Sequence, residues 1–353
     1  MSLKSILSLK NVSADFGDFY IKNINLEIKE KEYFVILGPT GAGKTLLLEI
    51  IAGFHKLKEG QIFIMGKNIS KIPPNERKIG FVYQDYSLFP HMNVENNISF
   101  GLEMQKLKRA EIRRRTSSMM DRLKINHLKN RYPITLSGGE QQKIALARAL
   151  IINPEFLLLD EPFGALDPVS KKQAMKVVKE IHSNNNLTTI EVTHNQDEAI
   201  LGDRISLIMN GEIVDTGPPK QIFNAPKNIS NANFLGVENI ISGEITKNIE
   251  GYAEVKTKNF MINCLSKFNS GKVTLFIRPE NIVLSQSPFK SSLRNNIHSK
   301  VKELFLISKE LIQISLENGL KVYITNNAKE DLDIKVGDDV IASFKATSIS
   351  LKR

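Results

Sequence analysis

Five short apolar runs punctuate the first 230 residues: YFVIL at 33–37, IGFVY at 79–83, FLLLD at 156–160, TTIEV at 188–192 and ISLIM at 205–209. Continuous apolar runs of this length read as buried strands. Helical patterns follow some of them, KTLLLEIIAGF after the first and SKKQAMKVVKEIH after the third. Strands that alternate with helices predict an α/β core. Between about residues 88 and 150 the strand pattern stops and helical patterns take over, which predicts a helical insert. After Gly236 the character changes again. IISGEIT, AEVKTK, KVTLFIRP, IQISLE, KVYIT and DVIASFKA are short β-type segments separated by Gly, Asn and Ser, as in a small barrel-like all-β domain. The predicted division is therefore 1–235 and 236–353, with no low-complexity linker and no repeat that would make a solenoid.

Composition narrows the class without naming a function. A chain of 353 residues is long enough for two cores. No apolar run reaches the ~20 residues needed to cross a bilayer, so a membrane would be reached through a partner. The opening MSLKSILSLK lacks the apolar length and cleavage site of a secretory signal, and the single cysteine, Cys264, excludes an internal disulfide. Both are expected of a cytoplasmic protein. The formal net charge of +10 raises the question of nucleic acid, but the cations are scattered. The densest run, KLKRAEIRRR at 106–115, is interleaved with Leu, Ile and Glu and reads as a solvated helix face.

The chemistry is carried by three segments. In GPTGAGKT, Gly38, Pro39, Thr40, Gly41, Ala42, Gly43, Lys44 and Thr45 follow a predicted strand and open a helix. Such glycines let backbone N–H groups curve around phosphate oxygens, Lys44 would reach the β- and γ-phosphates, and Thr45 would hold Mg²⁺. FLLLDE ends a buried strand in Asp160, a carboxylate for Mg²⁺ through water, followed by Glu161, which would polarise the attacking water. LSGGEQQ at 136–142 places Ser137, Gly138 and Gly139 at the start of a second helix. That is another favourable place for phosphate, and equally a helix cap made by Ser137 with Glu140.

Taken in order, GPTGAGKT, LSGGEQQ, FLLLDEP, GALD and VTH resemble the ATP-binding subunits of ABC transporters over about residues 6–235. The resemblance implies a P-loop NTPase core of ABC type with a helical insert. It also implies that two copies pair head to tail, each ATP lying between one copy's P-loop and the other's LSGGE element. Further residues follow from it one at a time. Gln84 looks like the glutamine that contacts the metal and the water and links core to insert, and His194 like the histidine that holds the γ-phosphate. Phe16 looks like the aromatic that stacks on adenine, with Tyr20 second, and Asp167 like the aspartate across the dimer interface. Gly164 stands where Ser is common and Asn195 where Asp is common, and neither is expected to touch the chemistry.

The rest of the chain resembles importer ATPases. YSLFPHMNVENNISFGLEM after Gln84 is similar to the part that forms a groove for a short helix of the membrane subunit, with Tyr86, Leu88, Phe89 and Met92 as groove residues. The segment from Gly236 is similar to their OB-like regulatory domains. SSLRNNIHSKV and ASFKATSISL resemble the oxyanion-binding module of small molybdate-binding proteins, which marks Ser292, Arg294, Asn295, Lys345, Thr347 and Ser348. As a whole the chain looks like the ATPase of molybdate/tungstate importers. This implies a homodimer on two permease subunits at the cytoplasmic face of the membrane, an external binding protein, Mg²⁺ and ATP, and internal molybdate or tungstate as an inhibitory ligand. Competing readings are an importer ATPase for sulfate, iron, a polyamine or a sugar, a soluble ABC ATPase acting on nucleic acid or ribosomes, and a cytoplasmic oxyanion store.

Overall fold

The computed structural model describes residues 4–353; the first three residues of the MSLKSILSLK segment lie outside the described residues. The chain divides into one compact unit ending at Pro219 and a second over Lys220–Arg353.

The first unit opens with a hairpin, β1 (Ser5–Asp15) and β2 (Tyr20–Lys29), then enters β3 (Tyr33–Leu37) and helix α1 (Lys44–Ala52). Strands β4 (Glu59–Ile64) and β5 (Lys67–Asn68) return to the hairpin and give an antiparallel sheet of order β2-β1-β4-β5. After β6 (Ile79–Val82) come three helices with no strand between them: α2 (Val94–Met104), α3 (Arg109–Leu123) and α4 (Gly138–Leu150). The chain then runs through β7 (Phe156–Asp160), α5 (Pro168–Asn185), β8 (Thr188–Thr193), α6 (Gln196–Ala199), β9 (Arg204–Met209) and β10 (Glu212–Gly217). The second sheet has the order β10-β9-β3-β8-β7-β6. It is parallel except for the β10–β9 pair. Every residue of β3, β7 and β8 is buried, which explains the apolar runs YFVIL and FLLL of β3 and β7: a parallel strand covered on both faces has no solvent side to show, and in β8 the buried Thr188, Thr189, Glu191 and Thr193 break the run.

Helix α1 packs between the two sheets. Its Leu47, Leu48 and Ile51 share one core with Leu7, Leu9 and Ile62 of the antiparallel sheet and with Phe34, Ile36 and Leu158 of the parallel one. Cutting fully buried Leu47 or Leu48 back to Ala would cost about 2–5 kcal/mol. The helix that begins at the glycine-rich loop is thereby fixed to a rigid base. Leu37 pairs with Thr193 and Asp160 with Val192, so the carboxyl ends of β3, β7 and β8 finish together. That edge of an open α/β sheet is where ligands are received.

The second unit begins with short helices α7 (Pro219–Asn224) and α8 (Ile229–Phe234). Sheet one follows, from β11 (Asn239–Ile249), β12 (Tyr252–Thr257), β13 (Met261–Leu265) and β14 (Gly271–Ile277). Sheet two holds β15 (Val283–Ser285), β16 (Asn295–Leu306), β17 (Leu311–Leu316), β18 (Lys321–Thr325) and, after helix α9 (Asn326–Asp331), β19 (Asp339–Phe344). The last strand, β20 (Ile349–Lys352), rejoins sheet one, giving the orders β13-β12-β11-β14-β20 and β15-β19-β16-β17-β18. Both sheets contribute to a single core, Val255, Ile262 and Leu275 from one and Ile314, Val322 and Phe344 from the other. The unit starts at Lys220 rather than at 236, the change of character in the sequence. Its leading helices are bound to it: Ala232 is buried with Val237 and Phe276, and Arg278 donates from Nη2 to the Phe223 carbonyl at 2.9 Å. Their polar, helical sequence gave no β signal.

Candidate nucleotide-binding site

Backbone sterics dictate the loop after β3. A Cβ at Gly38 would fall 2.3 Å from the Ile208 carbonyl oxygen, and Gly43 has φ +93°, where its Cβ would also strike the Phe19 ring at 2.6 Å. Only glycine satisfies both positions. Gly43 caps α1 without a side-chain hydrogen bond, so the first N–H groups of the helix face the loop unclaimed by a capping side chain, the arrangement that accepts phosphate. Lys44 is buried; its Nζ donates to the Pro39 carbonyl at 3.0 Å and lies 3.4 Å from Glu161 Oε1. Thr45 Oγ1 donates to Asp160 Oδ1 at 2.9 Å. Burial pushes the Asp160 carboxyl up to about 6, against the lowering effect of the Thr45 hydrogen bond, with neighbouring Glu161 and Glu49 adding to the rise. A nearby divalent cation would favour the charged form. Among the described residues no cluster of three His, Cys, Asp or Glu side chains could hold a metal alone. A hydroxyl beside one carboxylate instead fits Mg²⁺ shared with phosphate oxygens.

Glu161 follows Asp160 with a left-handed backbone, φ 42°, which costs a side-chain-bearing residue about 1–3 kcal/mol and is typical of functional positions. Its N–H donates to the Val192 carbonyl at 3.0 Å, and its Oε2 lies 3.0 Å from His194 Nδ1. Gly41, Lys44, Thr45, Gln84, Glu161 and His194 all line one cavity of about 540 Å³. Six residues from four separate sequence segments, with Phe19 from a fifth, therefore face one space. Gly164 stands closer to it than the sequence implied. A Cβ there would come 3.9 Å from Gln84 Nε2 and from Glu161 Oε2, so the glycine borders the reactive side chains.

Ser137, Gly138, Gly139 and Asp167 line a different cavity, of about 390 Å³, which shares no lining residue with the first. Ser137 and Glu140 form a reciprocal capping box, so this serine serves as the cap of α4 at the edge of that cavity. Asp167 Oδ1 accepts from Val169 and Ser170 N–H at 3.0 and 3.1 Å and caps α5. Its pKa is held below the usual range by Ser170 first. Two residues that sequence reasoning passed over belong to this construction. Gln142, buried in α4, donates to the Pro162 carbonyl at 2.8 Å and so joins the LSGGE helix to the residue after Glu161. Phe19 lines the loop cavity. Phe16 does not: it packs edge-on to His55, ring centroids 4.9 Å apart. Tyr20 lies under the Lys58 ammonium. Phe16, Phe19 and Tyr20 stand close together in ADFGDFY, and the sequence carries no signal for which ring turns inward.

Of the groove residues, Tyr86 is 3% exposed and packs inside, while Leu88, Phe89 and Met92 are half-buried. In the basic run, Glu111 accepts from Arg114 and Arg115, which holds its carboxyl down to about 2. The run is partly self-paired.

In the second unit the six oxyanion candidates separate. Asn295 is 2% exposed and fully engaged: Oδ1 accepts from the Asn263 N–H at 2.7 Å, and Nδ2 donates to the carbonyls of Asn263 at 2.9 Å and Phe344 at 3.4 Å. It laces the two sheets together. Register pairs Asn295 with Phe344, so Arg294 and Lys345 sit one step beyond, side by side and exposed. Ser292 is exposed. Thr347 and Ser348 instead line a cavity of about 270 Å³ with Asn224, Arg278 and Asn281.

Comparison with known proteins agrees with this layout. A family model described as ABC transporter matches residues 21–164, and a TOBE domain model matches 291–351. The chain is 41% identical to the molybdate/tungstate import ATP-binding protein of Pyrococcus abyssi, over 98% of this chain and all of the relative. It is also 37% identical to an Fe(3+) ions import ATP-binding protein of Fusobacterium nucleatum, over 98% and 92% of the two chains. With the spermidine/putrescine import ATP-binding protein of Thermotoga maritima it shares 36%, over 96% and 95%. The solved dimeric ATP-binding cassette MJ0796, bound to ADP and phosphate, superposes with a TM-score of 0.55 at 32% identity, covering 61% of this chain and 99% of that one. Identity of this order over whole chains shows the family: this protein belongs to the ABC transporter family, as an import-type ATP-binding subunit, an ATPase coupled to transport, that carries a C-terminal TOBE domain.

Proposed function

We propose that this ATPase powers uptake of molybdate or tungstate, working as a homodimer on two permease subunits at the inner face of the membrane, with an external binding protein supplying cargo. The observation that carries the dimer is the separation of the two cavities. Lys44, Thr45, Glu161 and His194 face one of them, while Ser137, Gly138 and Gly139 face the other, so a single chain holds two unmatched halves. Joined head to tail, two chains complete two sites, each P-loop closed by the partner's helix N-terminus.

In the closed site the loop N–H groups and Lys44 bind the phosphates, and Thr45 with Asp160 would hold Mg²⁺, which would supply charge neutralisation at the phosphates. Glu161 accepts a hydrogen bond from the attacking water and orients it, Gln84 helps place that water, and His194 donates to the γ-phosphate. The Gly138 and Gly139 N–H groups of the partner stabilise charge on the transferring phosphoryl group. The water oxygen bonds to phosphorus as the bond to the ADP oxygen breaks, one water proton passes by way of Glu161 to solvent, and ADP and phosphate leave. Among the described residues no helix is long and apolar enough to cross a membrane.

The cargo reading rests on similarity to the Pyrococcus protein through both units. Internal oxyanion acts on the C-terminal unit through exposed Arg294 and Lys345, with Ser292, Thr347 and Ser348 as further donors and Asn295 holding the strands that present them. An anion that binds better to the open arrangement shifts the pair toward it and stops transport. Iron or polyamine import is the second reading, favoured by relatives of nearly equal identity. Thermal unfolding of the purified chain with tungstate, molybdate, sulfate or phosphate at matched ionic strength separates them, because a ligand of the folded state raises its melting temperature. A rise confined to tungstate and molybdate supports the cargo and the sensor. Equal curves in all four anions remove the sensor and leave the cargo open to iron or polyamine.

A further inference from the structure

We infer that Arg148 is a positioning residue that locks the Gln84 loop to the LSGGE helix of the same chain, so that nucleotide sensing and the partner-facing phosphate site respond as one body. The inference rests on the proposed role of Gln84 at the nucleotide.

Gln84 faces the nucleotide cavity, and the chain leaving it makes an unusual turn. Tyr86 and Ser87 are consecutive residues with positive φ, 62° and 43°, and neither is glycine. Side chains rarely tolerate that region, and two in series persist only if surroundings over-determine them. One guanidinium supplies much of that determination. Arg148, in the last turn of α4, donates from Nη2 to the Tyr86 carbonyl at 3.0 Å and from Nη1 to the Ser87 carbonyl at 2.9 Å, and lies over the Phe89 ring, 4.9 Å from its centroid. Burial lowers its pKa, with Asp85 acting in the opposite direction. Asp85 accepts from the Ser87 N–H at 3.1 Å, and Asn97 closes the far side by accepting from the Phe89 N–H and donating to its carbonyl.

The planar fork of arginine holds the two carbonyls in one fixed geometry, which the flexible point charge of lysine does not impose. The other end of α4 begins with Gly138 at the second cavity, and Gln142 ties its first turns to Pro162 beside Glu161. One rigid helix is thus pinned to the nucleotide site twice, by Gln142 at Pro162 just after Glu161 and by Arg148 at the Gln84 loop. Removing Arg148 leaves the helix in place through Gln142 and frees the loop alone.

Hydrogen exchange on the full-length chain with and without Mg-ATP tests this, in wild type, Arg148→Met, which keeps much of the aliphatic packing, and the milder Arg148→Lys. In wild type, ATP is expected to raise protection of 84–90 and 137–143 together. In Arg148→Met, 84–90 exchanges faster without nucleotide, ATP no longer protects the two segments together, and kcat for ATP falls roughly tenfold with KM little changed. Arg148→Lys lies between. If wild type responds to ATP and either folded variant shows the same joint response, the linkage is wrong while the role of Gln84 stands. A wild-type 84–90 segment indifferent to ATP overturns both.

Discussion

The two anion sites expected of this chain fared differently in the fold. At the candidate nucleotide site, residues from five sequence segments line one cavity, and the loop that opens it depends on glycine: Gly38 and Gly43 are required by contacts of 2.3 and 2.6 Å that any Cβ would make. At the C-terminal site, six polar side chains divide between a sheet clamp, an exposed strand end and a separate cavity. Recognition by backbone writes itself into the sequence as obligatory glycine beside a strand and a helix. Recognition by side chains does not, because the same Ser, Asn and Lys serve surfaces and strand clamps equally well.

The largest effect that would sharpen this contrast is at Glu161. Replacing it by Gln should reduce ATP turnover on the order of 10²–10⁴-fold while leaving ATP binding intact, measured by phosphate release and by equilibrium binding of a fluorescent nucleotide. Turnover within a few-fold of wild type would remove Glu161 from the chemistry. Next comes Asn295. Asn295→Ala leaves the Asn263 N–H and two carbonyls without their partner, so about 1–3 kcal/mol of stability is expected to go, read from denaturant midpoints of the C-terminal transition. Arg294→Ala and Lys345→Ala, both exposed, should leave that transition unmoved and abolish any tungstate shift. The opposite assignment, with Asn295→Ala silent and Arg294→Ala destabilising, would break the comparison.

A smaller effect concerns pH. Glu191 is fully buried in β8 and bonded to the Tyr33 hydroxyl, and burial pushes its carboxyl from 4.5 up to about 8. The unfolded chain releases this proton near 4.5, whereas the folded chain keeps it to about 8. Between those values the folded state binds more protons, so stability falls as pH rises, and the whole loss is present above 8. Glu191→Gln should therefore melt near wild type at pH 5 and higher than wild type at pH 8.5. Coincident differences at both pH values would contradict a buried neutral carboxyl.

Much of the first unit was legible in sequence because burial on both faces leaves strands with unbroken apolar runs, as in YFVIL and FLLLD. The antiparallel sheet of β1, β2 and β4 was not. Its strands are buried on one side, and β1 carries register shifts between Leu9 and Val12 and between Val12 and Ala14 that break the alternation. Gln142 and Arg148 were equally hidden. Each reaches a carbonyl brought near by tertiary structure, 20 and about 60 residues away in sequence, and no local spacing announces such a contact. Gly164 was read as remote from the chemistry because sequence distance from Gln84 conceals a spatial neighbour.

The central claim, that one chain supplies two unmatched halves, is tested most directly by mixing two inactive variants, Lys44→Ala and Gly139→Asp. A Cβ at Gly139 meets nothing within 4 Å inside the chain, so the aspartate leaves the fold alone and repels only a phosphate arriving from outside. In a mixed pair, Lys44 of one chain faces Gly139 of the other and one intact site forms. The account predicts that the mixture regains ATPase activity, up to roughly a quarter of wild type if pairing is random. A mixture as inactive as its two components, with pairing verified, would contradict it.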